Sequence, residues 1–306
     1  MPINNVMRAA LRAISRARPD IRENYERTRR LFDAAHPPIA DAFYIWDHNV
    51  TSGDHSIPVR IFLPEVHTPE HVLVFFHGGG WVTGNIDSYT TVCSRTAKLT
   101  HCGVVLVDYS LAPEHPFPAG LEDCYAVTKE VFQSLDGFGI DADNVFLMGD
   151  SAGGNLAAAV SLLASERGEF MPRKQILIYP CTYNDHSPSS PYPSVVENGT
   201  DYILTSKNVC EYLELYLGEN HDAWNSPYFA PLLAQDLRGQ PETLILTAEF
   251  CPLRDEGEDY GRRLLEAGNK VEIHRIESAI HGYFSLPPNF APVRRSYELI
   301  NEFLKL

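Results

Sequence analysis

A serine lies at the centre of Gly149-Asp150-Ser151-Ala152-Gly153, between the apolar run Asn144–Gly149 (NVFLMG) and an alanine-rich stretch that begins at Ala152. A free serine hydroxyl is a weak nucleophile. It becomes a strong one when a tight strand-to-helix turn projects it and a histidine takes its proton. Small residues at 149 and 153 let strand and helix approach closely. A helix starting at Ala152 brings backbone N–H groups and a positive dipole end to the same place. This context marks Ser151 as a candidate nucleophile and Ala152 as a candidate oxyanion donor. Upstream, His77-Gly78-Gly79-Gly80-Trp81 follows another apolar run. Its three glycines offer N–H donors with no side chain in the way, as an oxyanion hole needs. No Lys-Ser/Thr follows the loop, which argues against a phosphate cradle. His281, before Gly282, comes last in chain order, where a general base for Ser151 is expected. The chemistry implied is acyl transfer.

Such groups need a scaffold that holds them together. From about residue 43 onward, strand and helix patterns alternate. Ser56–Leu63, His71–His77, Gly103–Tyr109, Asn144–Gly149, Lys174–Tyr179, Thr243–Thr247 and Val271–Ile276 read as strands. The stretches 88–101, 120–135, 152–166, 255–267 and 293–304 read as helices between them. The pattern predicts an α/β fold with a mostly parallel central sheet, an antiparallel start and helices on both faces. Residues 181–225 break the rhythm, with Pro188, Pro191 and Pro193 ahead of a helix near 207–217. An excursion of this kind suits a cap over a site. Residues 1–40 read as an N-terminal helical cap segment: Val6, Ala10, Leu11 and Ile14 fall at helical spacing and predict a helix packing its apolar face on the body. A second helix follows over 21–35, ended by Pro37 and Pro38. Residues 41–306 form the body.

The chain has 306 residues, 44% apolar and 21% charged, which is globular composition. A net charge of −15 repels phosphate backbones and excludes nucleic acid as a partner. No apolar run is long enough to span a bilayer. The arginine-rich N-terminus lacks a signal peptide's apolar stretch, and Asp20, Glu23 and Glu26 speak against a transit peptide. The six cysteines form no CxxC pair and match no zinc spacing. Reduced thiols in the cytoplasm are the simplest reading, with no metal expected.

HGGGW (77–81), DYSLAPEHPFPAGLED (108–123), GDSAGGN (149–155) and PLRDEGE with a later HGY together resemble the hormone-sensitive-lipase-like bacterial carboxylesterases, over roughly Ser56 to Leu306. The resemblance implies an α/β-hydrolase fold with a helical cap. It also implies hydrolysis of small, short-chain acyl esters through an acyl-serine, without a cofactor. Ser151 matches the nucleophile, His281 the base, and Gly79, Gly80 and Ala152 the oxyanion hole. Two positions depart from it. Ser110 stands where an Arg is usual, and Cys251 stands where the triad Asp precedes Pro-Leu-Arg-Asp-Glu.

A neutral thiol is a poor acceptor, so Cys251 threatens the histidine's orientation and the imidazolium it must become. Asp255, one helical turn on, is a candidate replacement acid, although a first-turn acid also complements a helix dipole. Glu249, Glu277 and Asp185 are others. Otherwise the triad is impaired, or Cys251 is itself a substitution of the natural residue. Two further readings remain at this stage: a non-catalytic small-ligand binding protein on the esterase scaffold, and a serine peptidase of related fold, for whose extra domain the chain has no room. A homodimer stays open.

Overall fold

The computed structural model describes residues 5–17, 19–38, 44–64, 69–134 and 140–305. In chain order the elements are α1 (Asn5–Arg16), α2 (Ile21–Ala35), β1 (Tyr44–Ser52), β2 (His55–Leu63), β3 (Val72–Phe76), α3 (Thr90–Thr100), β4 (Gly103–Val107), α4 (Ala119–Gln133), β5 (Val145–Asp150), α5 (Ala152–Arg167), β6 (Lys174–Ile178), α6 (Pro193–Glu197), α7 (Ser206–Leu217), β7 (Glu242–Phe250), α8 (Arg254–Glu266), β8 (Val271–Ile280) and α9 (Ala291–Leu304). Residues 43 and 135, where the sequence pattern begins and where it ends α4, lie outside the described residues.

The strands form one sheet in the order β1-β2-β4-β3-β5-β6-β7-β8. β1 and β2 are antiparallel to their neighbours, and the rest run parallel, as the alternating pattern predicted. β3, β4, β5 and β6 are buried along their whole length, which is why they read as continuous apolar runs. α5 is the central helix. Its small residues Ala157, Ala158, Ala159 and Ala164 are fully buried, so the helix lies close against the sheet. β1 gave no signal in the sequence because it is an exposed edge strand whose only buried residue is Val50.

The sequence predicts α1 to pack by its apolar face, and the structure overturns this. Val6 is 80% and Ile14 52% exposed. The face turned to the body is polar instead. Arg8 and Arg12 both reach Asp201, at 3.0 and 2.6 Å, and Ser15 Oγ accepts the Ile203 N–H at 2.9 Å. A buried carboxylate with two guanidinium partners outweighs the burial of two aliphatic side chains. α2 is tied down by Arg29, which donates to Val82 O, Ala112 O and the Glu114 carboxylate. α2 also packs against α7.

Candidate active site

β5 delivers Ser151 to the carboxyl end of the sheet, and the chain turns there into α5. Ser151 has φ 57° and ψ −117°, a conformation an L-residue holds only under constraint. The constraint is visible in the hydrogen bonds. Its N–H donates to Ile178 O at 2.9 Å, and its carbonyl accepts from Asn155 N at 3.1 Å and Cys181 N at 3.3 Å. Glycine is required on both sides. A Cβ on Gly153 would meet Phe76 O at 1.9 Å, and one on Gly149 would meet Gly153 O at 2.2 Å.

Asp150 is buried, and it accepts from Gly78 N at 2.9 Å, Tyr89 Oη at 3.1 Å and Tyr179 Oη at 3.3 Å. Burial raises its carboxyl from 3.8 to about 6, against the pull of these donors. One carboxylate thereby joins the serine turn to the glycine loop after β3. In that loop Gly79 and Gly80 have φ of 120° and 64°, and a Cβ on Gly80 would strike the Tyr212 ring of α7 at 2.4 Å. His77, next to them, is fully buried, which lowers its imidazole to about 4. It therefore stays neutral and donates from Nδ1 to Gly78 O at 2.8 Å. The supporting loop is held by Asp123, which accepts the Ser110 N–H at 2.8 Å.

β8 runs further than the sequence predicts, to Ile280, and so delivers His281 directly to the site. A register shift against β7 and the left-handed Ser278 (φ 58°) make the extension, and the Glu249 carboxylate fixes it by accepting the Ser278 N–H at 2.6 Å. His281 Nε2 lies 2.9 Å from Ser151 Oγ. Its Nδ1 lies 3.2 Å from Cys251 Sγ, at the end of β7. Ser151, Ala152, Gly79, Gly80 and His281 all line one cavity of about 310 Å³, with Phe32, His36, Ile203, Leu204 and Tyr212 among its walls.

Residues 73–285 match the α/β-hydrolase fold family. The chain belongs to that family. The hydrolase is 33% identical to an arylesterase of Saccharolobus solfataricus over 242 residues, covering 79% of this chain and 77% of that protein. It is 38% identical to carboxylesterase NlhH of Mycobacterium tuberculosis over 241 residues, covering 78% and 73%. Among solved structures, a hyperthermophilic esterase from Pyrobaculum calidifontis superimposes with a TM-score of 0.85 at 34% identity, over 100% of this chain and 98% of that one.

In this hydrolase the structure turns away from Asp255 as the replacement acid. Its oxygens accept from Ser194 N at 2.7 Å and Arg254 Nε at 2.7 Å. At the start of α8, in its first turn, the side chain faces α6, so it ties 181–225 to the body. The other carboxylates are also engaged elsewhere or face water. Glu249 holds Ser278, Asp185 accepts Ser187 N at 2.9 Å, and Glu277 is exposed on β8. The group on Nδ1 is the thiol itself. Cys251 is fully buried, and burial pushes its thiol far above the ordinary range, so it is neutral at physiological pH. Its sulfur also accepts the Leu253 N–H at 3.4 Å, and Asn198 Nδ2 donates to the Cys251 carbonyl at 3.3 Å.

Five contributors escaped the sequence reading. Asn198 and Tyr212 sit in the poorly patterned 181–225 segment. Phe32 and His36 reach the cavity from a helix about 120 residues before the serine. Glu256, however, was inside a motif already in view: it accepts Thr182 N at 2.7 Å and Tyr183 N at 3.1 Å and so fixes the segment after β6.

Proposed function

We propose that the chain is a serine carboxylesterase that hydrolyses short-chain acyl esters. The observation that carries this reading is the 2.9 Å contact from Ser151 Oγ to His281 Nε2, at a constrained turn facing an apolar cavity. Ser151 Oγ attacks the acyl carbon while His281 Nε2 takes its proton. The N–H groups of Gly79, Gly80 and Ala152 hold the oxyanion. The C–O bond to the alcohol breaks, and His281 returns the proton to the departing oxygen. Water then attacks the acyl-serine through the same histidine, releasing acid and free Ser151.

Cys251 is a positioning residue of limited power. Nε2 can accept the serine proton only in the tautomer that carries hydrogen on Nδ1. A carboxylate, which accepts only, enforces that tautomer. A neutral thiol also allows the reverse, with S–H donating to Nδ1 and Nε2–H facing the serine. It supplies no full charge to the imidazolium either. The enzyme is therefore well built and weakly activated.

α1, α2 and residues 181–225 serve as the cap. They carry the cavity walls Phe32, His36, Ile203, Leu204 and Tyr212, and the cavity size suits small acyl and alcohol groups. Six free cysteines favour a reducing compartment, the cytoplasm, and exposed Val6 and Ile14 are compatible with a homodimer. The relatives named above are esterases by name, and none supports the non-catalytic binding reading. Ser151→Ala tests the proposal: p-nitrophenyl acetate hydrolysis is expected to vanish, together with covalent labelling by an organophosphate. Turnover at the parent rate in that variant overturns the assignment.

A further inference from the structure

Away from the triad, three residues distant in sequence meet in the interior. His186 and Glu256 are fully buried, and Cys181 is nearly so. Cys181 Sγ, a ring nitrogen of His186 and a carboxylate oxygen of Glu256 lie within 4.8 Å of one another. Among the described residues no other group of three such side chains comes so close. The cluster has an access route, because Cys181 also lines the catalytic cavity.

Its polar atoms are incompletely used. His186 Nε2 lies 2.5 Å from Glu256 Oε2, and His186 Nδ1 is buried without a partner. The Cys181 sulfur makes a long contact to Tyr183 O, at 3.9 Å, and otherwise faces the Glu256 carboxylate. The other Glu256 oxygen is fixed by the N–H groups of Thr182 and Tyr183, which aims Oε2 at the cluster. Charge is also out of balance. With Glu256 ionised, His186 neutral and Cys181 a thiol, a buried negative charge stands without a cation.

We propose that Cys181, His186 and Glu256 form a binding site for a divalent cation of the zinc type. Thiolate, imidazole and carboxylate are the donor set that zinc takes, and a water would complete four-coordination. The assembly of one Zn²⁺, one thiolate, one carboxylate and a neutral imidazole carries no net charge, which suits a buried place. Tetrahedral bonds of about 2.0 Å to N and O put those atoms ~3.3 Å apart. His186 and Glu256 must therefore separate by less than an ångström from their present contact. Binding converts the Cys181 S–H to S–Zn and releases its proton, so affinity rises with pH. Burial and the nearby Glu256 charge hold that thiol protonated in the free protein.

The test uses the full chain, freed of metal by chelator and dialysis. Zn²⁺ titrated against a chromophoric chelator is expected to bind at one equivalent, and Co²⁺ to give a thiolate charge-transfer band. Cys181→Ser should remove the band. His186→Gln, which keeps a donor toward Glu256, should weaken Zn²⁺ binding roughly ten- to hundredfold, with the circular dichroism spectrum of the parent. Cys251→Ser should leave both signals intact, since the triad thiol is a separate soft ligand beside His281. Absence of stoichiometric binding, a band that survives Cys181→Ser, parent affinity in His186→Gln, or a band lost in Cys251→Ser each overturns the site.

Discussion

Replacing Cys251 with Asp tests the energetics of this triad most directly. The sulfur is 3.2 Å from His281 Nδ1, in a fully buried position. A carboxylate oxygen extends about half an ångström further from Cβ than sulfur does, so it lands at the ~2.7–2.9 Å of a charge-assisted bond. Two donors await the charge: Nδ1–H of His281 and the Leu253 N–H that now points at the sulfur at 3.4 Å. Both limit the desolvation that a buried carboxylate incurs. In serine proteases, replacing the triad Asp by a group that stabilises the wrong tautomer lowers kcat about 10⁴-fold, or about 5–6 kcal/mol of barrier. A thiol can still accept, so the deficit here is smaller than that ceiling. The expected gain in kcat for Cys251→Asp lies between about tenfold and 10⁴-fold. The assay is initial-rate hydrolysis of p-nitrophenyl acetate and butyrate across pH 5–9, with active-site titration to count competent enzyme. KM should move little, because the cavity walls are untouched. A folded Cys251→Asp variant with kcat within twofold of the parent would refute the reasoning, and an inactive Asp255→Asn beside it would identify Asp255 as the acid after all.

The other predictions are briefer. Asp255→Asn should keep kcat within about threefold but lower stability by about 1–2 kcal/mol in urea unfolding, since it weakens the Ser194 and Arg254 contacts. Asp150 takes up its proton near pH 6 in the folded chain and near 3.8 when unfolded. The folded state thus binds more protons between those values, and this group's contribution to stability is greatest below about pH 4 and falls as pH rises to about 6. The loss totals about 3 kcal/mol. Asp150→Asn should flatten that part of the stability–pH curve, and an unchanged slope would count against the buried carboxylate as its origin. Asp201→Asn should release α1 from Arg8 and Arg12. Faster tryptic cleavage near Arg16 and a raised KM are expected, because Ile203 and Leu204 wall the cavity two and three residues away.

Much of the site was legible in the sequence for local reasons. A strand, a glycine-flanked serine and a helix leave the Ser151 turn little choice, and chain order singled out His281 among twelve histidines. The acid was not legible. Residue spacing places Asp255 one turn from Cys251, but only the helix phase shows that its side chain faces α6. The end of β8 depended on a register shift against β7 that no periodicity announces. α1 misled for a different reason: an apolar stripe signals helix reliably and its inner face only when nothing stronger competes, and Asp201 lies about 190 residues away. The Cys181–His186–Glu256 cluster joins two segments that only the crossover from β6 to α8 brings together.

The single carboxylate shared by the serine turn and the glycine loop bears on how this protein can be re-engineered. Gly78 is fixed through Asp150, and Asp150 through Tyr89 and Tyr179, so the nucleophile and the oxyanion donors are set by one common reference point. A library that randomises residues 78–84 alone discards that reference and fills with loops that no longer face the serine. Libraries that vary the cap walls at Phe32, Ile203 and Tyr212 leave it intact, and selectivity is therefore easier to redesign from the roof than from the floor.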